Sequence, residues 1–332
     1  MTTIDRCPSL LTEGFASYSP EALANLFDGR KVSHILNFAS PENESAAITA
    51  AKNVGRLSLS GAQPKFGLIL NENNELQYSN ESIQSTYILK PRPIGYHLIN
   101  RDFCAANENL TMQMAQQIYG IETAVNALCF YADGQPAYLT RRFDIHNNEK
   151  FAQEDFASLI GVSSANGGSD FKYINGSYEE CAEVIRKYVK VSMVDILRFF
   201  RVVVFNFITL NDDAHLKNFS LVKRGGEYRL SPAYDLINTS LHISEPRLFA
   251  LEKGLFKEGM HLTDTHFICN QDFLEFGRRI GLSQKICEKE LSNFAKSNPA
   301  ADELINRSFL PKELKLDYMQ RMHYRQVLLR PR

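Results

Sequence analysis

Residues 211–235 read NDDAHLKNFSLVKRGGEYRLSPAYD, and the fold of this chain turns on how that stretch is read. Two adjacent acids open it. Only Asp213 has an asparagine, Asn218, five positions downstream; Asp212 has Lys217 there instead. The runs 219–222 and 228–230 flank Arg224-Gly225-Gly226-Glu227, a hairpin signal, because paired glycines accept the positive φ angles of a tight turn. A hairpin returns the backbone near its origin, so Asn218 and Asp235 are expected to converge on one metal ion. Both carry hard oxygens of the type magnesium takes alongside phosphate oxygens. Asp213 is then placed to orient a hydroxyl and accept its proton. An Asp-x-x-x-x-Asn pair followed by a further Asp predicts phosphoryl transfer from ATP, chemistry that needs positioning and electrostatics more than deep deprotonation.

Working upstream, residues 192–210 form an apolar helical run that delivers the chain into Asp212 and Asp213, with Ser192 and Asp195 spaced as a capping box. A second helix over 178–190 has acids early and bases late, as the helix dipole favours. Before about residue 150 the pattern is strand-like. Phe66 to Leu70 precedes the turn-rich Asn71-Glu72-Asn73-Asn74, Thr86 to Lys90 stops at Pro91, and runs 126–131 and 138–143 meet across Asp133-Gly134. One helix interrupts them, from Glu108 to Tyr119, with Leu110, Met114 and Ile118 on one face. Near the N-terminus Ser19-Pro20-Glu21 reads as a helix start. The expected fold is α+β and two-lobed, resembling a protein kinase: a β-rich lobe over 1–143 and a mostly helical lobe over 144–332. The last third, 250–332, reads as helical and carries no motif.

The strand-rich part supplies the remaining candidates. Lys90, at the end of its strand, can reach nucleotide phosphates if an acid orients it, and Glu108 is the best candidate for that acid. The segment 57–65 lies where a phosphate-covering loop belongs. Ser58, Ser60, the backbone N–H groups around Gly61, Ala62 and Gln63, and the Lys65 ammonium offer phosphate contacts. The Arg141-Arg142-Phe143 stretch would present backbone to an adenine edge, with Phe143 covering the ring. Lys217 faces either the transferring phosphate or solvent. His215 either holds the turn by hydrogen bonds, binds ATP beside Lys217, or joins Asp213 and Asp235 in a metallo-hydrolase triad.

Composition narrows the field. The 332 residues are 44% hydrophobic, enough for a substantial core, and 37 basic side chains balance 38 acidic ones. That surface offers no global field for nucleic acid or anionic lipid, so no direct nucleic-acid or membrane binding is expected. Six scattered cysteines without a C-x-x-C pair argue against a zinc site or a disulfide framework and suit a reducing compartment. The N-terminus lacks the features of a signal peptide, so a cytoplasmic location is expected.

These residues together resemble the HipA-like serine/threonine kinases of bacterial toxin–antitoxin systems. The matching pieces are Ser60-Gly61-Ala62-Gln63-x-Lys65, Ile88-Leu89-Lys90-Pro91, Asn107-Glu108, Arg142-Phe143-Asp144, Lys172-Tyr173, Gly176-Ser177-Tyr178, Asp213-x-His215-x-Lys217-Asn218-Phe219-Ser220 and Pro232-x-Tyr234-Asp235. The resemblance implies Asp213 as catalytic base, Asn218 and Asp235 as magnesium ligands, Lys90 as the phosphate-binding lysine and the Arg141–Phe143 stretch as hinge. ATP and Mg2+ are the implied cofactors. About 55 residues precede the phosphate loop, which makes the chain more similar to the short HipT subgroup than to longer relatives with an additional N-terminal subdomain. In that subgroup a separate small protein supplies the missing subdomain, and a DNA-binding antitoxin is the third member. The Ser58-Leu59-Ser60 pair implies autophosphorylation on one or both serines, and an aminoacyl-tRNA synthetase is the implied class of substrate. A phosphoserine there adds roughly −1.5 to −2 charges where ATP phosphates belong, which would switch the enzyme off. Pro64 departs from the family pattern and removes an N–H donor from the loop. A small-molecule phosphotransferase, a silent binding module and a metal-dependent hydrolase are the competing readings.

Overall fold

A computed structural model describes residues 3–41, 63–80, 83–95, 97–146, 149–260 and 268–331 of the chain. Among them β1 (Phe66–Leu70), β2 (Leu76–Tyr78), β3 (Tyr87–Lys90), β4 (Asn126–Phe130) and β5 (Pro136–Arg141) form an antiparallel sheet in the order β2-β1-β3-β5-β4. The β4–β5 hairpin turns at Asp133-Gly134, where Gly134 adopts φ 86°. β2 was not apparent in the sequence, because three residues are too short to show alternation.

Strand periodicity sends neighbouring side chains to opposite faces. In β3, Tyr87 and Leu89 join Leu68, Ala127 and Leu139 in a core closed by Leu26 and Phe27. Those two residues lie on the helix Pro20–Phe27, which starts as expected: Ser19 accepts from Ala22 N–H at 3.2 Å and Pro20 takes the first position. The opposite face carries Lys90, paired in register with Tyr138, whose ring packs with Leu110 and Met114 in the larger core of the molecule. One residue of register therefore decides whether Lys90 meets apolar packing or the helix Cys104–Gln113.

That helix starts a turn earlier than its apolar spacing suggests, so Glu108 sits within it rather than at its start. All ten of its residues are buried. A helix enclosed on every side shows no polar face to mark where it begins, and Cys104-Ala105-Ala106 contains no breaker. It continues through a wider turn, Met114–Ile118.

The helix-rich part begins with short helices and the capped helix Tyr178–Tyr188, where Ser177 accepts from Glu180 N–H at 3.2 Å. The long helix Ser192–Ile208 follows. Its start corrects the capping-box expectation. Val191 precedes the first turn without a side-chain cap, and Asp195 instead accepts from Arg198 at 2.7 Å and from Leu230 N–H at 3.0 Å. Asp195 thus ties the helix to the hairpin of strands Ser220–Arg224 and Glu227–Leu230, whose turn residues Gly225 and Gly226 adopt φ 58° and 84°. Strand Gln153–Asp155 pairs on the other edge of Ser220–Arg224. Among the described residues four helices follow: Asn270–Arg279, Gln284–Ala295, Pro299–Arg307 and Lys312–Leu328. Residues 250–260 form turns rather than the helix expected there. No helix among the described residues is long and apolar enough to cross a membrane. The α+β, two-lobed, kinase-like architecture expected from the sequence is the one the chain adopts.

Gly277 shows how closely these helices support the long one. A Cβ added there would lie 2.2 Å from the sulfur of buried Cys287 and 3.3 Å from the Phe200 ring. Helix propensity would favour Ala by about 1 kcal/mol, whereas overpacking costs about 1–3 kcal/mol. Gly277→Ala is expected to lower the urea midpoint; an unchanged or raised midpoint would show that Cys287 can move aside.

Candidate active site

Two ion pairs define the centre. The Lys90 Nζ donates to Glu108 Oε1 at 2.6 Å and to Asp235 Oδ1 at 2.5 Å, and it lies 5.2 Å from the centre of the Tyr138 ring. Lys65 reaches the other oxygen of Asp235 at 3.2 Å. Burial alone would lower the pKa of the Lys90 ammonium, but Asp235 and Glu108 outweigh it and hold the value well above its usual position. Burial likewise opposes the charge on Asp235, yet Lys65 and Lys90 keep its carboxyl far below the usual carboxylate range. Glu108 is different. Burial pushes it up to about 7, against the pull of Lys90. The cluster therefore holds a charged lysine between a firmly ionised acid and one close to protonation at neutral pH.

The backbone around Asp235 is specialised. Asp235 has φ 56°, a left-handed conformation costing roughly 1–2 kcal/mol for a residue with a side chain. Leu210, just before the Asn211-Asp212-Asp213 turn, is also left-handed at φ 53°. Thr239, beyond Asp235, anchors that turn by donating to Leu210 O at 2.7 Å and accepting from Asp212 N–H at 3.0 Å.

The adjacent acids have separate surroundings. Asp212 accepts from Arg247 N–H at 2.8 Å, joining the turn to the segment that follows Asp235. Asp213 Oδ1 accepts from the Tyr173 hydroxyl at 2.5 Å, and Tyr173 is completely buried. Asn218 donates from its amide to Asp213 O at 2.8 Å. That bond fixes which end of the amide is nitrogen, so the Asn218 carbonyl oxygen is the end left to accept a cation. Asn218 and Asp235 line one small cavity together with Asn211 and Tyr234. Among the described residues no group of three or more His, Cys, Asp or Glu gathers around a metal position. Two oxygen ligands, one neutral and one anionic, nonetheless fit magnesium that also takes phosphate and water oxygens. The two ammonium groups on Asp235 show that its carboxylate already stands where positive charge is favoured.

Other expected contacts are distributed differently. Among the described residues neither ring nitrogen of His215 finds a hydrogen-bond partner, and its ring meets that of Tyr173 near a right angle at 5.0 Å. The histidine does not hold the turn through its ring, contrary to one expectation. Burial keeps its pKa well below the usual value, leaving a neutral imidazole with two unused polar atoms. Lys217 lies 4.0 Å from Asp155 and is half exposed. Arg141 turns its guanidinium to both oxygens of Asp28, at 2.8 and 2.9 Å, and its amide donates to Val125 O in the sheet. Phe143 packs on Tyr234 with ring centres 5.4 Å apart, while its carbonyl accepts from Arg224 at 2.8 Å. Arg141, Phe143 and Arg224 line a cleft of about 570 Å³ whose walls do not include Lys90, Asp213 or Asp235. Gln63 donates to Pro91 O at 3.1 Å. Ser58, Ser60, Gly61 and Ala62 lie outside the described residues.

A buried network beside Glu108 was not read from the sequence. Asn107 donates to Asn238 O and to His242 Nε2, both at 2.8 Å, and accepts from Asn238 N–H at 3.3 Å. His242 Nδ1 meets Ile99 O at 3.2 Å, and burial lowers the ring pKa to about 4, so the imidazole is neutral with its proton on Nδ1. The helix carrying Glu108 is thereby fastened to the chain just past Asp235. Only Asn107 carried a signal, as the neighbour of Glu108.

Known proteins are similar to this chain in sequence and in fold. A Haemophilus influenzae protein named "Putative kinase" is 28% identical over 92% of this chain and 90% of its own length. The "Serine/threonine-protein kinase toxin HipA" of Shewanella oneidensis is 24% identical over 56% of this chain, which spans 44% of that protein. The solved structure of Shewanella oneidensis HipA, in complex with HipB and its operator DNA, matches 87% of this chain and 73% of its own at 20% identity, with a TM-score of 0.64. Residues 57–301, the stretch holding Lys90, Glu108, Asp213, Asn218 and Asp235, match the HipA-like C-terminal domain, and the chain belongs to that family.

Proposed function

We propose that this chain is an ATP- and Mg2+-dependent serine/threonine protein kinase of the toxin type, with the lobes divided near residue 143. One observation carries the reading. Lys90 is buried between Glu108 and Asp235, residues 18 and 145 positions away in sequence. A lysine oriented by an acid and set beside a cation-binding aspartate is the electrostatic core of phosphoryl transfer. A purely structural ion pair has no need of a second carboxylate in a strained left-handed conformation. In this reading Lys90 and Lys65 hold phosphate oxygens, and Asn218 and Asp235 hold magnesium, which neutralises charge developing on the transferred group. Asp213 orients the acceptor hydroxyl and takes its proton. Neutral His215, with both nitrogens available, contacts the nucleotide, and Phe143 with Tyr234 flanks the base.

The finer identity follows the same resemblance. The Ser58-Leu59-Ser60 pair supports a HipT-type enzyme that phosphorylates itself on one or both serines. Its substrate is then an aminoacyl-tRNA synthetase, and its partners are a small N-subdomain-like protein and a DNA-binding antitoxin, in the cytoplasm. Incubation with Mg-ATP followed by mass spectrometry is expected to place phosphate on Ser58 or Ser60. A clean loop after incubation would reject self-modification.

A further inference from the structure

Tyr173 stands on the short helix Phe171–Ile174, and its hydroxyl meets Asp213 Oδ1 at 2.5 Å. That is the length of a charge-assisted O–H···O⁻ bond, roughly twice as strong as its neutral counterpart. The ring is held independently of this bond. It meets the His215 ring near a right angle, the residue's amide donates to Asp170 O at 2.8 Å, and its carbonyl accepts from Glu252 N–H at 2.9 Å. A second tyrosine, Tyr178, donates to Ala214 O at 3.0 Å and secures the backbone one residue further on. One tyrosine thus holds the carboxylate of the loop and the other holds its main chain.

We propose that Tyr173 is a positioning residue for phosphoryl transfer, its hydroxyl fixing the orientation in which the Asp213 carboxylate meets the acceptor. An aspartate's terminal torsion is broad, so an unanchored carboxylate samples many orientations. Misplacement of a reacting group by even an ångström costs on the order of hundredfold in rate while leaving remote binding intact. The buried hydroxyl confines that torsion before the acceptor arrives. This rests on the reading of Asp213 as the base.

Tyr173→Phe removes one oxygen and keeps the ring against His215. The expected result is a fall in kcat of roughly tenfold to hundredfold, with Mg-ATP affinity held within about twofold. Tyr178→Phe removes a hydrogen bond from the same loop without touching the carboxylate, and is expected to slow transfer less while lowering the denaturation midpoint. A Tyr173→Phe enzyme with full kcat would overturn the proposal, as would equal slowing by both variants, or a parallel loss of nucleotide affinity. If Asp213→Asn is inactive while Tyr173→Phe is fully active, only the positioning role falls. If Asp213→Asn still transfers phosphate, the assignment of the base falls first.

Discussion

Asp213→Asn is expected to lower the rate of phosphate transfer by on the order of 10²–10⁴, the range a general base supplies, while Mg-ATP affinity stays within severalfold. The replacement has the same shape. Its side-chain oxygen can still accept from the Tyr173 hydroxyl, and Asn218 still binds the main-chain carbonyl of residue 213. What it loses is the capacity to take a proton. Single-turnover transfer and equilibrium nucleotide binding, measured on one preparation, separate the two effects. A variant that keeps the wild-type rate would move the base elsewhere; the neighbouring Asp212 gives one carboxylate oxygen to Arg247 N–H.

Lys90→Met is expected to act on both rate and stability, because it removes the cation that two carboxylates share and, on the proposed reading, a phosphate contact. Losing a fixed charge aimed at the transferring group costs on the order of 10²–10³ in kcat. Stability falls as well. Breaking a buried ion pair typically costs about 3–5 kcal/mol, and the lower end is expected here because Glu108 can take up a proton. The sign of the pH dependence follows from Glu108, whose folded value of about 7 lies above its ordinary value of 4.5. Its contribution to stability is complete below that ordinary value and is lost as pH rises through about 7. Without Lys90 its affinity for the proton rises further, so the gap between variant and wild type should widen from about pH 6 to about pH 8. Urea denaturation at the two pH values checks this; a constant or narrowing gap would mean that Glu108 is not the group released.

Much of this was legible in the sequence where local chemistry leaves few choices. The Gly225-Gly226 pair signalled a hairpin, and the strand-like run stopping at Pro91 placed Lys90 at the end of its strand. Spacing singled out Asp213 over Asp212, and the two acids do have different partners. Contacts that depend on which buried surfaces meet were not legible. Tyr173 reaches Asp213 across 40 residues, and the Asn107–Asn238–His242 network closes across more than 130. No local pattern encodes either. The start of the helix carrying Glu108 was misjudged because burial on all sides erased its amphipathic signature. Asp195 was read as a cap because its spacing from Ser192 allowed it, but a long-range bond to Leu230 N–H claims its carboxylate.

The most direct measurement of the central claim follows label from γ-labelled ATP into protein, using the purified chain with Mg2+ or with EDTA. The arrangement of Lys90, Asp213, Asn218 and Asp235 predicts label on a serine or threonine hydroxyl with Mg2+, none with EDTA, and none in the Asp213→Asn variant. Transfer that survives EDTA or the loss of Asp213, or a wild-type chain that leaves protein unlabelled in Mg2+, would contradict it.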